Sequence, residues 1–569
     1  MKYRISYTNP QQHFIDIEFE VTVSEKLTRI QLPAWRPGRY ELGNFAKNIQ
    51  KWQAYNQDEE ELEFEKVTKD CWEVNTDGVS ILKVRYNYYS NELNAGSTYL
   101  DETQLYVNPV NCLLYTENYQ NNKCEVNIDV PEDYQIATGL KSIGNNYFEA
   151  DNFHQLVDCP LIASNSLQHK SFECNNVLFH LWFQGESKPD FKRIIKDFKK
   201  YTNKQIELFG SFPVSEYHYL FQIVPYFHYH GVEHYNSTVI SLGPTYDLME
   251  PSVYEELLGV SCHELFHTWN IKAIRPKEMY PYDYKRENYS TLGYVAEGVT
   301  TYYGDLMLHR SGVFDDKQYF KILNEQIKKH LDNFARNTYS VAASSFDTWL
   351  DGYTKGIPNR KLSIYSDGCL IALITDVMIM HYTKGKKSLD NVMRILYDDF
   401  AKKNKGYTDE DYITVVSDVS NYNFSDFFQE YVYGASDYTQ ELLKVCDLLG
   451  LKLILKESDD YYETYYGFKL SLNGIVTDVY QNSEADIKGI AVGDEITHIN
   501  NHQVKGDLSK WSKFYGQEKV CLVVQRKYAR ASVDIVPSNK KFFQNIELKL
   551  NNKRSREQKE LYNFWKNRI

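Results

Sequence analysis

Apolar and polar positions alternate at period two through most of the first 170 residues. Phe14–Val23, Ile81–Tyr89 and Cys124–Val130 alternate or are β-branched, with Asn, Gly and Pro between them, so a β-rich N-terminal domain is predicted over residues 1–170. The period changes near Pro189. From Phe191 onward apolar residues recur at helical spacing until Gly210 supplies a stop, which predicts a helix. Helices then dominate to about residue 445, with a few short strands among them. Short strands and turns return from about 456 to 537. The segment SREQKELYNFWKNRI opens on Ser555 and sets Leu561, Phe564 and Trp565 on one side, the pattern of a terminal helix packing on a larger body. The expected fold is a multidomain α+β chain: a β-rich domain (1–170), a mostly α domain (171–450), a small β domain (456–537) and a basic C-terminal helix (538–569).

Composition sharpens this picture in four ways. At 569 residues the chain is too long for one hydrophobic core. Its 42% hydrophobic and 25% charged residues exclude a mostly disordered chain. The net charge of −13 argues against nucleic acid as a partner, because phosphate binding needs a cationic face. Charge is also uneven: residues 539–569 hold nine Lys or Arg against three Glu, a local +6 on an acidic body. Nine dispersed cysteines without a CxxC pair read as reduced thiols and make a thiolate metal site unexpected. No stretch has the roughly 18 uncharged apolar residues of a membrane span. The alternating Met1–Val21 segment has neither a continuous apolar stretch nor a small-residue cleavage site, so a cytoplasmic protein is expected.

One motif carries chemistry: His263-Glu264-Leu265-Phe266-His267, after a Leu- and Glu-rich run. On a helix, residues four apart share a face, so both imidazoles reach one ion with Glu264 beside them. One Zn²⁺ suits two neutral imidazoles and a carboxylate, with a position left for water. The apolar Leu265, Phe266 and Trp269 argue that the motif is buried, where unpaired polar groups are costly. The third ligand is read as Glu297, a lone carboxylate among Tyr294, Val295, Ala296, Gly298 and Val299, with His309 as its rival. Asn270, Thr301 and Asp305 are candidates for orienting the ligands, or plain helix-surface and capping residues.

The run HELFHTWNIKAIRPKEMYPYDY followed by AEGVTTYYGDL resembles the glycyl aminopeptidase family of zinc metallopeptidases, gluzincins that carry a PDZ domain and are distantly similar to the aminopeptidase N family. LPAWRPGRYELGNFAKNI (Leu32–Ile49) is similar to that family's N-terminal-domain signature. HGVEHYNS, SSFDTWL, IYSDG and FFQEYVYG follow in the family's order. The resemblance implies a thermolysin-like catalytic domain in which His263, His267 and Glu297 bind zinc and Glu264 activates water. It implies that Tyr365 is the phenol that donates to the oxyanion, although Asp367 stands where the family's Tyr-x-Lys-Gly motif has Lys. It also implies that Glu233 holds the α-ammonium of a peptide with a free N-terminus. His230 stands where the family has glycine, and either narrows the subsite or touches substrate itself. A second metal cluster among His218, His228 and His234 is disfavoured by strand alternation and absent acidic partners.

Residues 456–537 resemble a PDZ domain. Tyr466-Gly467-Phe468 matches the loop whose backbone N–H groups cradle a peptide's terminal carboxylate; a fixed structural domain with a filled groove is the alternative. The function implied is removal of small N-terminal residues, Gly or Ala, from peptides. The alternative is an inactive scaffold that binds peptide C-termini through the PDZ domain.

Overall fold

The computed structural model describes residues 1–354 and 356–567. Its N-terminal part is built on a seven-stranded sheet in the order Lys141–Gly144, Tyr147–Ala150, Cys124–Ile128, Lys2–Ser6, Phe14–Thr22, Ile81–Tyr89, Ile49–Tyr55. Only Lys2–Ser6 and Cys124–Ile128 run parallel within it. Alternation sets the register. Ile15, Ile17, Phe19 and Val21 are buried on one face of the long second strand, and one residue of slip would expose them all.

This core is not closed by its own residues. Ile271, Met279, Tyr282, Tyr284, Trp349 and Ile364, from the helical part, are buried in the same cluster. Trp35 is wholly buried, packs edge-on to Trp349 at 5.0 Å between ring centres, and donates from its indole to the Asp283 carbonyl at 2.7 Å. The segment around Trp35 is thereby fixed against the helical part.

The helical part opens on a five-stranded mixed sheet in the order Gln168–Cys174, Val177–Gln184, Glu216–Ile223, Ser237–Gly243, His228–Glu233. The domain boundary expected at 170 therefore falls inside a strand. Alternation in QHKSFEC reads like a continuation of the β-rich domain, but the strand pairs with Val177–Gln184. The predicted helix spans Phe191–Phe209 and ends on Gly210 in the left-handed region at φ 79°. Helices Pro251–His267, Thr300–Arg310, Asp316–Asp332 and Ser366–Tyr382 complete the scaffold. The edge strand His228–Glu233 lies against the first of these.

The C-terminal expectation needs correction. Residues 538–569 are not one helix: Asn545–Leu550 is a strand, paired antiparallel with Leu451–Lys456, and the helix occupies Arg556–Asn567. Pairing to a strand some ninety residues earlier leaves little local trace in NIELKL. The ribbon brackets the small β module, which has its own core of Tyr466, Phe468, Ile496, Leu522 and Val524. The terminal helix buries Trp565 completely; its indole donates to the Tyr302 hydroxyl at 2.8 Å. No helix among the described residues is long and apolar enough to cross a membrane.

Candidate active site

His263, Glu264 and His267 lie at the end of helix Pro251–His267. Leu265 and Phe266 are fully buried, and Trp269 stacks on Phe209 with ring centres 4.6 Å apart, so the polar face of this turn is held in place from behind. Glu297 sits in a wide π-helical turn, Tyr294–Val299, that runs into helix Thr300–Arg310; such turns recur at functional sites. Asn270 ties the two segments together. Its side-chain amide donates to the carbonyls of Val295 at 2.9 Å and Ala296 at 3.3 Å and to the Thr300 hydroxyl at 3.1 Å.

The Nε2 atoms of His263 and His267 lie 3.0 Å apart, and Glu297 Oε2 lies 3.9 Å and 3.4 Å from them. His267 Nδ1 is 2.6 Å from the Asn270 carbonyl. A carbonyl only accepts, so the proton sits on Nδ1 and the Nε2 lone pair faces His263 and Glu297. Lone pairs converging with a buried carboxylate need a cation between them, and two imidazoles with one carboxylate form a donor set that fits zinc. The carboxylates make this spot strongly negative: burial works against a charged His267, but Glu297 and Glu233 more than offset it and hold its pKa up at about 10, a field that favours positive charge at Nε2, whether a proton or a metal ion.

Glu264 and Glu233 join His267 in a second group whose ligand atoms lie within 4.8 Å of one another. All three residues are buried. Burial raises the Glu264 carboxyl well above its usual range, and the carboxylates of Glu233 and Glu297 add to the effect. Two close approaches fix these carboxylates. A Cβ on Gly231 would stand 2.2 Å from Glu264 Oε1, and one on Gly38 would stand 2.5 Å from Glu233 Oε2. Gly38 also has φ +84°, which glycine adopts without strain.

Gly38 belongs to the N-terminal part, and so does Tyr40, whose phenol donates to Glu297 Oε1 at 2.9 Å. Neither residue carried a role in the reading of the sequence, although the Leu32–Ile49 segment that holds them stood out. Tyr365 lies just before helix Ser366–Tyr382, with its hydroxyl 3.2 Å from that of Tyr353. The helix reaches the Glu297 turn because Gly298 packs on Gly368; a Cβ on Gly298 would stand 2.3 Å from the Gly368 Cα. Burial, then Glu297, push the Tyr365 phenol well above its ordinary pKa, so it stays a hydrogen-bond donor at neutral pH.

Residues 2–165 match the Peptidase M61 N-terminal domain and residues 256–371 match M61 glycyl aminopeptidase. The chain belongs to this family. An aminopeptidase N family protein from Idiomarina loihiensis has a crystal structure with a TM-score of 0.92 to this chain, at 25% identity over 99% of both chains. An M1 zinc metallopeptidase from Deinococcus radiodurans reaches a TM-score of only 0.45 at 12% identity, over 74% of this chain and 89% of its own. No curated protein matches. The chain is therefore a peptidase of the M61 family.

Within this M61 peptidase the remaining candidates fall as follows. His230 is half-buried on the edge strand with Glu233; burial, Arg36 and Arg39 push its pKa down to about 3, so it is a neutral imidazole. His309 is not beside Glu297; its Nε2 lies 2.8 Å from Asp316. Thr301 hydrogen-bonds only back to the Glu297 carbonyl, while its neighbour Thr300 approaches His267 Nδ1 at 3.4 Å. Asp305 makes no contact with the ligand set, and burial raises it to about 7. Of the three other histidines, His234 lies 3.1 Å from Asp158 Oδ1, and His218, which accepts from the Trp182 indole at 3.3 Å, groups with His180 and Glu216 rather than with His228 or His234. In the small β module, the N–H groups of Tyr466 and Gly467 both donate to the Tyr462 carbonyl, at 3.0 and 2.9 Å. Two donors of the expected carboxylate loop are thus taken, and Tyr466 and Phe468 are wholly buried.

Proposed function

We propose that this M61 peptidase is a zinc-dependent aminopeptidase that removes small N-terminal residues, Gly or Ala, from peptides. The observation that carries the proposal is the convergence of the His263 and His267 Nε2 lone pairs on Glu297, with the His267 tautomer set by Asn270. Zinc held by these three residues would acidify water and polarise the scissile carbonyl. Glu264, beside them and raised by burial, takes the proton of the attacking water and returns it to the leaving amine. Tyr365, held as a phenol, donates to the negative charge that develops on the carbonyl oxygen. Glu233 receives the substrate's α-ammonium through a charge-assisted hydrogen bond, and the Gly38 turn closing on that carboxylate favours a small first side chain.

Metal analysis of the purified protein, joined to hydrolysis of Gly- and Ala-p-nitroanilide with and without a chelator, tests this. One zinc per chain and chelator-sensitive release of p-nitroaniline are expected, with N-acetylated substrates resistant. A metal-free protein inert to every aminoacyl substrate would refute the reading. Equal cleavage of N-acetylated peptides would remove Glu233 from its role.

A further inference from the structure

The turn that closes on Glu233 also carries a buried cation that makes no direct ion pair among the described residues. Arg36-Pro37-Gly38-Arg39 is a tight turn: the Arg39 N–H donates to the Arg36 carbonyl at 3.3 Å, Pro37 presets the second position, and Gly38 takes the positive φ of the third. Arg36 is only 5% exposed. Its guanidinium lies flat on Gly96, where a Cβ would stand 1.9 Å from Cζ. Among the described residues it makes no ion pair and no side-chain hydrogen bond, and its Nη1 is buried without a partner. Burial, then the charge of Arg39, work against its protonated form, and the nearby Tyr106, Tyr353 and Glu233 offset them only in part. A buried charge left unpaired in this way is strongly unfavourable, and buried arginines are otherwise matched to carboxylates or phosphates.

Arg36 and Arg39 line a cavity of about 400 Å³ together with Lys47, Asn94, Ser97 and Asn111. Arg39 is paired with Glu41 and lies over the Tyr353 ring, 5.0 Å from its centre, and the Tyr353 hydroxyl meets that of Tyr365. The two arginines therefore flank the turn that reaches the candidate active site, through Gly38 to Glu233 and from Arg39 through Tyr353 to Tyr365. One residue, Pro37, separates Arg36 from Gly38, so their Cα atoms are at most about 7 Å apart. A peptide of two or three residues spans roughly 7–10 Å, which matches a substrate with its amine at Glu233 and its far end at this turn.

We infer that Arg36, with Arg39 beside it, is a subsite for the C-terminal carboxylate of a di- or tripeptide substrate, which makes the enzyme selective for very short peptides. The inference rests on the aminopeptidase reading and deepens it. The planar fork of arginine accepts a carboxylate in two parallel hydrogen bonds, and the neutral His230 on the edge strand leaves that charge-pairing to the two arginines.

The test compares Ala-Ala-Ala with its C-terminal amide and with Glu-Ala-Ala-amide, using the full-length zinc-loaded protein. The free acid is expected to have a KM lower than the amide by about 10- to 100-fold, the range of a charge-assisted hydrogen bond. Arg36→Gln should bring the acid-to-amide ratio to about one, and Arg36→Lys should keep part of it. If Arg36→Gln does not fold, the wild-type ratio and the Arg39→Gln variant carry the test. Equal KM for acid and amide in the wild type overturns the subsite and leaves the aminopeptidase reading intact. A preference for Glu-Ala-Ala-amide over Ala-Ala-Ala also overturns it, since the arginines would then serve an acidic first residue. If no peptide is cleaved, the aminopeptidase reading fails. The subsite is then decided by calorimetric binding of the same acid and amide, where tighter binding of the acid supports it and equal binding overturns it.

Discussion

Tyr40→Phe removes one oxygen atom from the candidate metal site and leaves the protein ring, and its packing against Trp349 with centres 6.0 Å apart, unchanged. The two oxygens of Glu297 are divided. Oε1 receives the Tyr40 phenol at 2.9 Å, and Oε2 faces the two imidazoles. Glu297 is 2% exposed, so no water replaces the lost donor at once. A hydrogen bond to a charged group is worth about 1.5–3 kcal/mol, or roughly 10- to 100-fold in an equilibrium constant. Partners of this kind orient metal ligands, and their loss costs a similar factor in affinity. The expected result is a zinc Kd weakened about 10- to 100-fold, measured by competition with a chromophoric chelator. At saturating zinc the fall in kcat should be smaller, because the phenol touches no reacting atom. An unchanged Kd, with folding verified by thermal melting, would show that Glu297 does not depend on the N-terminal domain or does not hold the metal.

Two further outcomes follow from the same geometry. Glu264→Gln should keep full zinc content and lose kcat by about 10²- to 10⁴-fold, the usual range for a general acid–base group; substantial residual turnover with zinc bound would reject water activation by this residue. His330 lies 2.8 Å from Asp367 and 3.5 Å from Asp437, and although burial works to lower its pKa, the hydrogen bonds it donates to those carboxylates raise it. A group raised in the folded state contributes stability in full below its unfolded pKa and loses it as pH rises through the folded value. The melting-temperature gap between wild type and His330→Gln should therefore be widest near pH 6 and narrow toward alkaline pH, and a gap that widens with pH would contradict this.

Features set by local periodicity were legible in the sequence. Helix Phe191–Phe209 with its Gly210 stop follows from the 3.6-residue spacing of Ile194, Phe198, Tyr201 and Ile206, all buried on one face. Strands Phe14–Thr22 and Ile81–Tyr89 follow from alternation. The pairing of His263 with His267 follows from four-residue spacing, and the spatial approach of Glu297 was suggested by its apolar flanks. Contacts across long chain distances were not legible. Tyr40 meets Glu297 across 257 positions, and Gly38 meets Glu233 through a clearance that no residue pattern encodes. The strand Asn545–Leu550 belongs to the same class, because its partner lies on the far side of the small β module. Half of the candidate site is local to two helical turns, and the other half exists only once the N-terminal domain has docked.

The departure at Asp367 shows how a substituted position can act without entering the site. Read in line, an aspartate two residues after Tyr365 places a negative charge beside a phenol meant to stabilise another negative charge. The fold separates them. Asp367 Oδ1 lies 2.8 Å from His330 Nδ1 and accepts from the Tyr438 hydroxyl at 2.6 Å, while Oδ2 accepts from the Ser363 N–H at 3.0 Å. Both oxygens are engaged, and although burial works against it, the hydrogen bonds His330 donates to Asp367 and Asp437 favour its protonated form. The Ser363 bond crosses the turn that carries Tyr365 into helix Ser366–Tyr382, so the aspartate holds the phenol's backbone rather than opposing its chemistry.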